Sequence, residues 1–154
     1  MAAAKAMLDT NIVVDYLCRR APHDESARLL MIGGRVGEFD LWLTSSQLTD
    51  LVYILSEGGR AALMPGVLDR LRGLRTFVNV YPIDAECIDR MLATTWKDPE
   101  DALLFDAALQ VRADFLVTRN AANFESGLVN VVDCPGFFES LKREFGLAYD
   151  EVGL

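Results

Sequence analysis

The stretch that decides the fold is residues 98–124, DPEDALLFDAALQVRADFLVTRNAANF. Its first half, Pro99–Arg112, is apolar on nearly every side, which predicts a helix buried in the centre of the protein. Its second half contains Phe115–Thr118, an apolar run of the kind found in strands that are buried on both faces. A buried helix followed directly by a buried strand is typical of an α/β protein with a parallel sheet.

The same alternation extends along the rest of the 154-residue chain. The predicted strands are Ala4–Leu8, Leu41–Leu43, Phe77–Tyr81, Phe115–Thr118 and Val129–Val132. The predicted helices are Asn11–Arg19, Asp24–Ile32, Ser46–Glu57, Ala61–Gly73, Asp84–Thr94, Pro99–Arg112 and Phe137–Phe145. We expect Gly33-Gly34 to end the second helix. The length suits one domain, residues 1–154, with helices on both faces of a parallel sheet of four to five strands.

The composition limits the functional classes. Apolar residues make up 51% of the chain, so a sizeable core is expected. The 23 acidic residues outnumber the 15 basic ones, so the overall field does not attract nucleic acid. Any such contact therefore needs a local basic patch or a bound metal. The single histidine, His23, excludes hydrolases built on two histidines.

The cysteine pattern indicates the redox environment. Cys18, Cys87 and Cys134 are widely spaced, odd in number and without a CxxC motif, which argues against a disulfide framework and a zinc site. We expect each to be a buried free thiol, which fits a cytoplasmic location. Met1–Leu8 has no long apolar core, so no signal peptide is expected. No apolar run in the sequence is long enough to cross a membrane.

Polar residues follow the predicted strands, where parallel sheets form ligand sites. Asp9 comes directly after the first strand, where a carboxylate is costly unless it is paired, caps a helix or binds a metal. Two interpretations of Asp9 stay open, an N-cap of the next helix or a metal ligand. A haloacid-dehalogenase-type phosphatase would need a second Asp two residues later, where Asn11 stands.

The acidic run Asp98-Pro99-Glu100-Asp101 precedes the buried helix. An Asp before a proline is typical of an N-cap, and acids in the first turn suit the helix dipole, so capping alone can explain the run. Because the helix is buried, however, we expect Asp101 to point towards the strand ends. Asp106 lies on another face of the helix and is expected to be structural or a surface partner.

Three further residues complete the candidate site. Asp50 lies one to two turns into the helix that follows the second strand, beside core-type residues, and a partly exposed position is its plainer interpretation. Thr118 and Asn120 close the fourth strand, where they can accept hydrogen bonds or hold a metal-bound water. An ordinary turn uses the same residue types.

Taken together, these residues resemble the PIN-domain family. The opening Met7–Leu17, MLDTNIVVDYL, looks like the family's first strand and helix. Residues 98–124 are similar to a bacterial subgroup with a D-x-E-D-A-L helix start and a T-R-N strand end. The match continues to Pro135-Gly136-Phe137-Phe138, so it covers essentially the whole chain. The family implies an α/β/α sandwich with an acidic pocket at the strand ends.

Many PIN-domain proteins are Mg²⁺- or Mn²⁺-dependent ribonucleases, including the toxins of VapBC-type toxin–antitoxin pairs. The resemblance therefore implies an RNA substrate, a Mg²⁺ or Mn²⁺ cofactor, a cognate antitoxin and a homodimer. Asp9 matches the first metal carboxylate, Asp101 the helix-start carboxylate and Asp98 an additional acid of the subgroup. Thr118 and Asn120 match the strand-end element.

Two departures from the family pattern bear on activity. The usual Glu after the second strand has no counterpart, and Asp50 is the best alignment, one methylene shorter. The last Asp is replaced by Asn120, and Asn123 stands where another Asp is common. Fewer carboxylates mean weaker metal affinity. The alternative is therefore a catalytically degenerate PIN module that binds RNA or a protein partner.

The expected chemistry is metal-assisted hydrolysis of a phosphodiester. Asp9 and Asp101 would hold the ion directly, and Asp50 and Asp98 would hold it through its waters. The obvious positive groups to steer RNA are Arg70, Arg72, Arg75 and Arg119, each of which has a plainer interpretation as a solvated surface charge. A receiver-type phosphotransfer domain, the third class considered, would need a lysine where Arg119 stands.

Overall fold

The computed structural model describes residues 4–124 and 127–146. Within these ranges the strands are β1 Ala4–Leu8, β2 Phe39–Thr44, β3 Val78–Tyr81, β4 Phe115–Val117 and β5 Asn130–Val132. The α-helices are α1 Thr10–Leu17, α2 Asp24–Arg35, α3 Ser45–Leu55, α4 Met64–Arg75, α5 Ala85–Leu92, α6 Pro99–Gln110 and α7 Cys134–Phe145. Short 3₁₀ helices cover Ala61–Leu63 and Ala121–Asn123.

The five described strands form one parallel sheet in the order β3-β2-β1-β4-β5. The chain builds outward from β1 on one side through β2 and β3, and on the other through β4 and β5. The order therefore reverses beside β1, and a parallel sheet opens a crevice at the carboxyl ends of its strands at such a point. The predicted α/β fold with a central parallel sheet is confirmed.

Two hydrophobic cores cover the two faces of the sheet. Leu8 and Phe115 point into the core that the apolar faces of α1, α2, α3, α4 and α7 complete. Met7 and Leu116 point to the opposite side, where they meet Leu104 and its neighbours on α6. Because successive residues of a strand point to opposite faces, the apolar runs of β1 and β4 serve both cores. The result is an α/β/α sandwich.

Helix α2 does not end at Gly33-Gly34, as the sequence suggested, but continues to Arg35. An ideal Cβ on Gly33 would lie 2.1 Å from Cε2 of Phe39, and one on Gly34 would lie 2.4 Å from Cδ1 of Leu41. The two glycines therefore allow α2 to approach β2 closely. Tertiary packing here overrides the low helix propensity of glycine.

Two smaller expectations also need correction. The predicted helix Ala61–Gly73 is divided into a 3₁₀ turn and α4, with a proline in the first turn of α4. Cys87 and Cys134 are buried free thiols as expected, but Cys18 is exposed, so that prediction was wrong. In the described part of the chain, every helix is too short or too polar to cross a lipid bilayer.

We expect Gly33→Ala to lower the free energy of unfolding by about 1–3 kcal/mol, because the added methyl group overpacks against Phe39. Gly73→Ala in α4 is a matched control, since a Cβ there meets nothing within 4 Å. This control should be neutral or stabilising by up to about 1 kcal/mol. Urea unfolding measures both variants. Equal stability of the two would contradict the close-approach explanation of the glycine pair.

Candidate metal centre

Strand β1 delivers Asp9 to the carboxyl edge of the sheet. The backbone N–H of Asp9 donates to the carbonyl of Val117 at 2.9 Å, which continues the β1–β4 pairing. Asp9 occupies the N-cap position of α1, but its side chain accepts no capping hydrogen bond. Its Oδ2 instead accepts a hydrogen bond from Thr118 Oγ1 at 2.7 Å. The capping interpretation of Asp9 is therefore wrong.

Thr118 lies behind Asp9 and is fully buried. Its backbone N–H donates to the carbonyl of Val132 at 2.8 Å, and its hydroxyl oxygen accepts from the backbone N–H of Asn120 at 3.0 Å. The hydroxyl has a single proton, and that proton is donated to Asp9. Thr118 therefore fixes the orientation of the Asp9 carboxylate.

Gln47, which sequence reasoning did not select, ties α3 to the end of β1. Its Nε2 donates to the carbonyl of Leu8 at 2.8 Å and to Thr10 Oγ1 at 3.2 Å. Its Oε1 accepts from the backbone N–H of Thr44, and the two residues form a capping box at the start of α3. The Thr-x-x-Gln spacing, which is typical of a capping box, was the sequence signal that could have identified Gln47. Gln47 thus holds the two chain neighbours of Asp9.

Helix α6 supplies the second pair of carboxylates, Asp98 and Asp101. Asp98 is the N-cap, and its Oδ1 accepts from the backbone N–H groups of Glu100 at 2.9 Å and Asp101 at 3.4 Å. The capping interpretation is therefore correct for Asp98. Asp101 lies in the first turn and is partly buried, as expected for an acid on a helix that packs against the sheet.

All of the predicted site residues except Thr118 line one cavity of about 430 Å³. These residues are Asp9, Asp50, Asp98, Asp101 and Asn120. The cavity is also lined by residues that the sequence did not single out for this role: Thr10, Asn11, Tyr53, Ile54, Glu100 and Asn123. The sequence signal for Glu100 was its place in the acidic run 98–101, but helix capping alone was sufficient to explain that run.

A larger cavity of about 820 Å³ lies between α1, α2 and α4. Its lining includes Arg19, Arg28, Arg35 and Arg70, and none of the predicted site residues. Size alone would favour this cavity. The smaller one is the candidate site because oxygen ligands from separate elements converge there at the point where the sheet order reverses.

Asp101 carries the clearest electrostatic signature of the smaller cavity. Burial, followed by the negative charges of Asp98, Asp9 and Glu100, raises the pKa of Asp101 from its ordinary value of 3.8 to about 6. Like charges that crowd one cavity disfavour the ionised form of each carboxyl group. A bound cation removes this penalty, so the site is poised to take up either a metal ion or a proton.

The donor set fits a hard cation such as Mg²⁺. Within residues 4–124 and 127–146, no three His, Cys, Asp or Glu side chains form a complete metal-ligand group by themselves. Mg²⁺ does not require one, because it keeps several waters and is commonly held by one or two protein carboxylates. Asp9 and Asp101 meet that need as a pair. The described lining offers no sulfur or imidazole ligand of the kind that zinc prefers.

The arginines considered for steering RNA do not gather at this cavity. Arg70, Arg72 and Arg75 lie on α4, and none of them lines it. Arg119 is not a simple solvated surface charge, since its Nε lies 2.9 Å from Oδ2 of the fully buried Asp15. Sequence reasoning missed Asp15, whose signal was an acid inside an otherwise apolar helical stretch.

The fold and the cavity define an α/β protein with a candidate cation site at the carboxyl edge of its sheet, where the strand order reverses. The chain belongs to the PIN domain family, whose model matches residues 5–122. The family predicted from the sequence is thereby confirmed. None of the curated proteins matches this chain in sequence.

Two solved structures share this fold. One is a chain of VapBC2 from Rickettsia felis bound to a DNA fragment from the promoter, with a TM-score of 0.58 and 18% identity over 82% of this chain and 96% of that chain. The other is a chain of DNA-bound VapBC from Salmonella typhimurium, with a TM-score of 0.59 and 18% identity over 85% of this chain and 98% of that chain. At this identity the likeness is one of fold.

We expect Asp101→Asn to stabilise the metal-free protein at about pH 7.5. The raised pKa means that folding disfavours the ionised carboxylate, so stability is lost as the pH rises through about 6. The neutral amide removes that loss, by about 1 kcal/mol after solvent screening. The gain should shrink below pH 6, where the wild-type carboxyl group is itself protonated.

Thermal unfolding in EDTA on both sides of this pKa measures the effect. Asp106→Asn is the matched control, because Asp106 accepts two hydrogen bonds from Arg90, each at 3.0 Å. This control should lower stability at both pH values. A loss of stability in Asp101→Asn above the pKa would contradict the account of charge crowding in the cavity.

Proposed function

We propose that the protein is a Mg²⁺- or Mn²⁺-dependent endoribonuclease that hydrolyses phosphodiester bonds in RNA. The observation that carries this proposal is the convergence of Asp9 from β1 and Asp101 from α6 on one cavity, at the point where the sheet order reverses. Membership of the PIN domain family supports the reaction class. The acidity of the cavity supports the need for a divalent ion.

In this proposal each lining residue has a defined task. Asp9, fixed by Thr118, and Asp101 would hold the ion, which would supply acidification of an attacking water and offset negative charge on the phosphate. Asp50 and Asp98 would orient waters bound to that ion. Asn120 presents its side-chain amide to the phosphate or to the attacking water.

Charge makes the ion essential for substrate binding as well as for chemistry. The protein carries a net charge of −8, and four acidic side chains line the cavity beside Asp101. A bare cavity of this kind repels a phosphodiester. Because the arginines of α4 lie elsewhere, neutralisation falls to the divalent ion. RNA binding at this site is therefore expected to depend on the metal.

We also propose that the chain is a single PIN-like domain and acts in the cytoplasm as the toxin of a type II toxin–antitoxin module. Two similar solved structures are VapBC complexes, which supports a cognate antitoxin as the partner. A homodimer is the proposed assembly. Such an assembly would cover exposed apolar side chains such as Leu92 on α5.

A second candidate function is a catalytically degenerate PIN module that binds RNA or a protein partner. Asn120 in place of a carboxylate and the short side chain of Asp50 favour it. It is favoured too because no three acidic side chains among the described residues are arranged as a complete metal-ligand group. The two candidates differ in metal binding and in RNA cleavage, which can be measured separately.

We expect Mn²⁺ to bind the wild-type protein saturably in a calorimetric titration. Asp101→Asn should weaken this binding more than tenfold, because it removes one of the two direct ligands. Asp69→Asn, an exposed residue of α4 that pairs with Arg72, is the control and should bind as the wild type does. The metallonuclease proposal fails if the wild type takes up no Mn²⁺ at millimolar concentrations.

We expect unstructured RNA to be cleaved in the presence of Mn²⁺ and left intact in EDTA. Asp9→Asn should lower the cleavage rate at least about 100-fold, because the ligand that positions the ion is lost. Gel analysis of a labelled RNA pool measures this rate. Metal binding without any cleavage would instead favour the degenerate binding module.

A further inference from the structure

We propose that the ion pair between Asp15 and Arg119 positions the Asp9–Thr118 side of the metal site, and so sets metal affinity although neither residue lines the cavity. The inference rests on the proposed function, because it assigns a role relative to the metal that Asp9 would hold. Asp15 and Arg119 would be positioning residues and not ligands.

The first observation is the burial of the Asp15 carboxylate, which is 0% exposed. Its Oδ2 lies 2.9 Å from Nε of Arg119, and its Oδ1 lies 3.9 Å from a terminal nitrogen of Arg20. Neither carboxylate oxygen has a hydrogen bond of good geometry to any described residue. The attraction to Arg119 is therefore chiefly ionic. A buried carboxylate is costly without its counter-charge, so Asp15 holds Arg119 firmly in place.

The second observation is the position of Arg119 in the chain. It stands between Thr118, whose hydroxyl donates to Asp9, and Asn120, whose backbone N–H donates to that same hydroxyl. The Arg119 side chain thus anchors the short turn that orients Asp9. Movement of this turn would change the direction of the Thr118 hydroxyl.

The third observation is that Asp15 belongs to α1, the helix that begins directly after Asp9. Helix α1 is therefore tied to the turn after β4 at two places, by Asp9–Thr118 at its start and by Asp15–Arg119 more than one turn later. Rotation of α1 about the first contact is blocked by the second. The ion pair thus fixes the carboxylate that begins the helix.

The exposure of Arg119 separates this role from direct contact with RNA. Its side chain is 30% exposed, does not line the carboxylate cavity and is already paired with a buried charge. Contact with a phosphate would require Arg119 to leave Asp15 unpaired in the core. Positioning accounts for both the burial of Asp15 and the place of Arg119 beside Thr118.

The test is Mn²⁺ calorimetry on Asp15→Asn, Arg119→Gln and the double variant, well below their melting temperatures. We expect each to bind Mn²⁺ about 10- to 100-fold more weakly than the wild type while keeping its circular dichroism spectrum, as found for residues that orient metal ligands. Arg119→Lys keeps the positive charge and should restore affinity to within about threefold of the wild type.

Asp106→Asn is the matched control for a lost ion pair. Asp106 pairs with Arg90 at 3.0 Å between α5 and α6, and neither residue lines the cavity. We expect this variant to melt at a lower temperature with unchanged Mn²⁺ affinity. A purely structural role for Asp15 predicts the same pattern, a lower melting temperature with wild-type metal affinity.

The outcomes separate the two proposals. Wild-type Mn²⁺ affinity in Asp15→Asn or in the double variant overturns the positioning role, whereas no Mn²⁺ binding by the wild type overturns the proposed function together with it. If Asp15→Asn does not fold, the double variant decides, because it leaves no buried charge unpaired. A direct RNA contact by Arg119 predicts a different result. In that case Arg119→Gln alone would reduce the slope of log RNA affinity against log salt concentration by about one, the value for one phosphate contact.

Discussion

The hydrogen bond from the Thr118 hydroxyl to the Asp9 carboxylate is the contact on which the rest of the site depends. It joins the ends of β1 and β4, the two strands beside which the sheet order reverses. Burial of Thr118 shields the bond from water, and the negative charge of the acceptor strengthens it. The backbone N–H of Thr118 also donates to the carbonyl of Val132, the last residue of β5, so the contacts that position Asp9 involve three adjacent strands. Without this bond Asp9 would be free to cap α1, as the type of residue and its place predict.

The crowding of carboxylates in the cavity destabilises the metal-free protein electrostatically. Asp101 is partly buried and brought beside Asp98, Asp9 and Glu100, and burial together with this repulsion raises the pKa of Asp101. Gln47 and Thr118 hold the chain around Asp9 with hydrogen bonds, so the carboxylates do not relax apart. Under the proposed function, a bound divalent ion would offset this repulsion and so stabilise the folded protein. Local strain of this kind is expected where a rigid scaffold holds a functional cluster together.

The sequence predicted the order and type of the main elements because buried parallel strands consist of short runs of mostly apolar residues, as in Ala4–Leu8. It also predicted which polar residues stand at the strand ends, because that depends on chain position alone. It did not decide between capping and ligation for Asp9, since the deciding partner, Thr118, lies 109 residues away. The pairing of Asp15 with Arg119 could not be predicted from the sequence either, because these two residues are also far apart in the chain. Gly33 was wrongly predicted to end α2, because the need for a glycine there comes from the Phe39 ring packed against it, which the local sequence does not show.

The two departures from the family pattern have a common electrostatic consequence. Asn120 lines the cavity as a neutral amide where a further carboxylate would add to the repulsion already felt by Asp101. Asp50 lines the same cavity from an exposed position on α3, where solvent screens its charge. Asn120 removes one negative charge, and solvent weakens the field of Asp50, so both features lower the repulsion in the metal-free fold and also the attraction for a cation. Under the proposed function, metal affinity would then depend more heavily on how well Asp9 and Asp101 are held in place. The contacts that fix them, Thr118 above all, therefore matter more here than they would in a site with a full set of carboxylates.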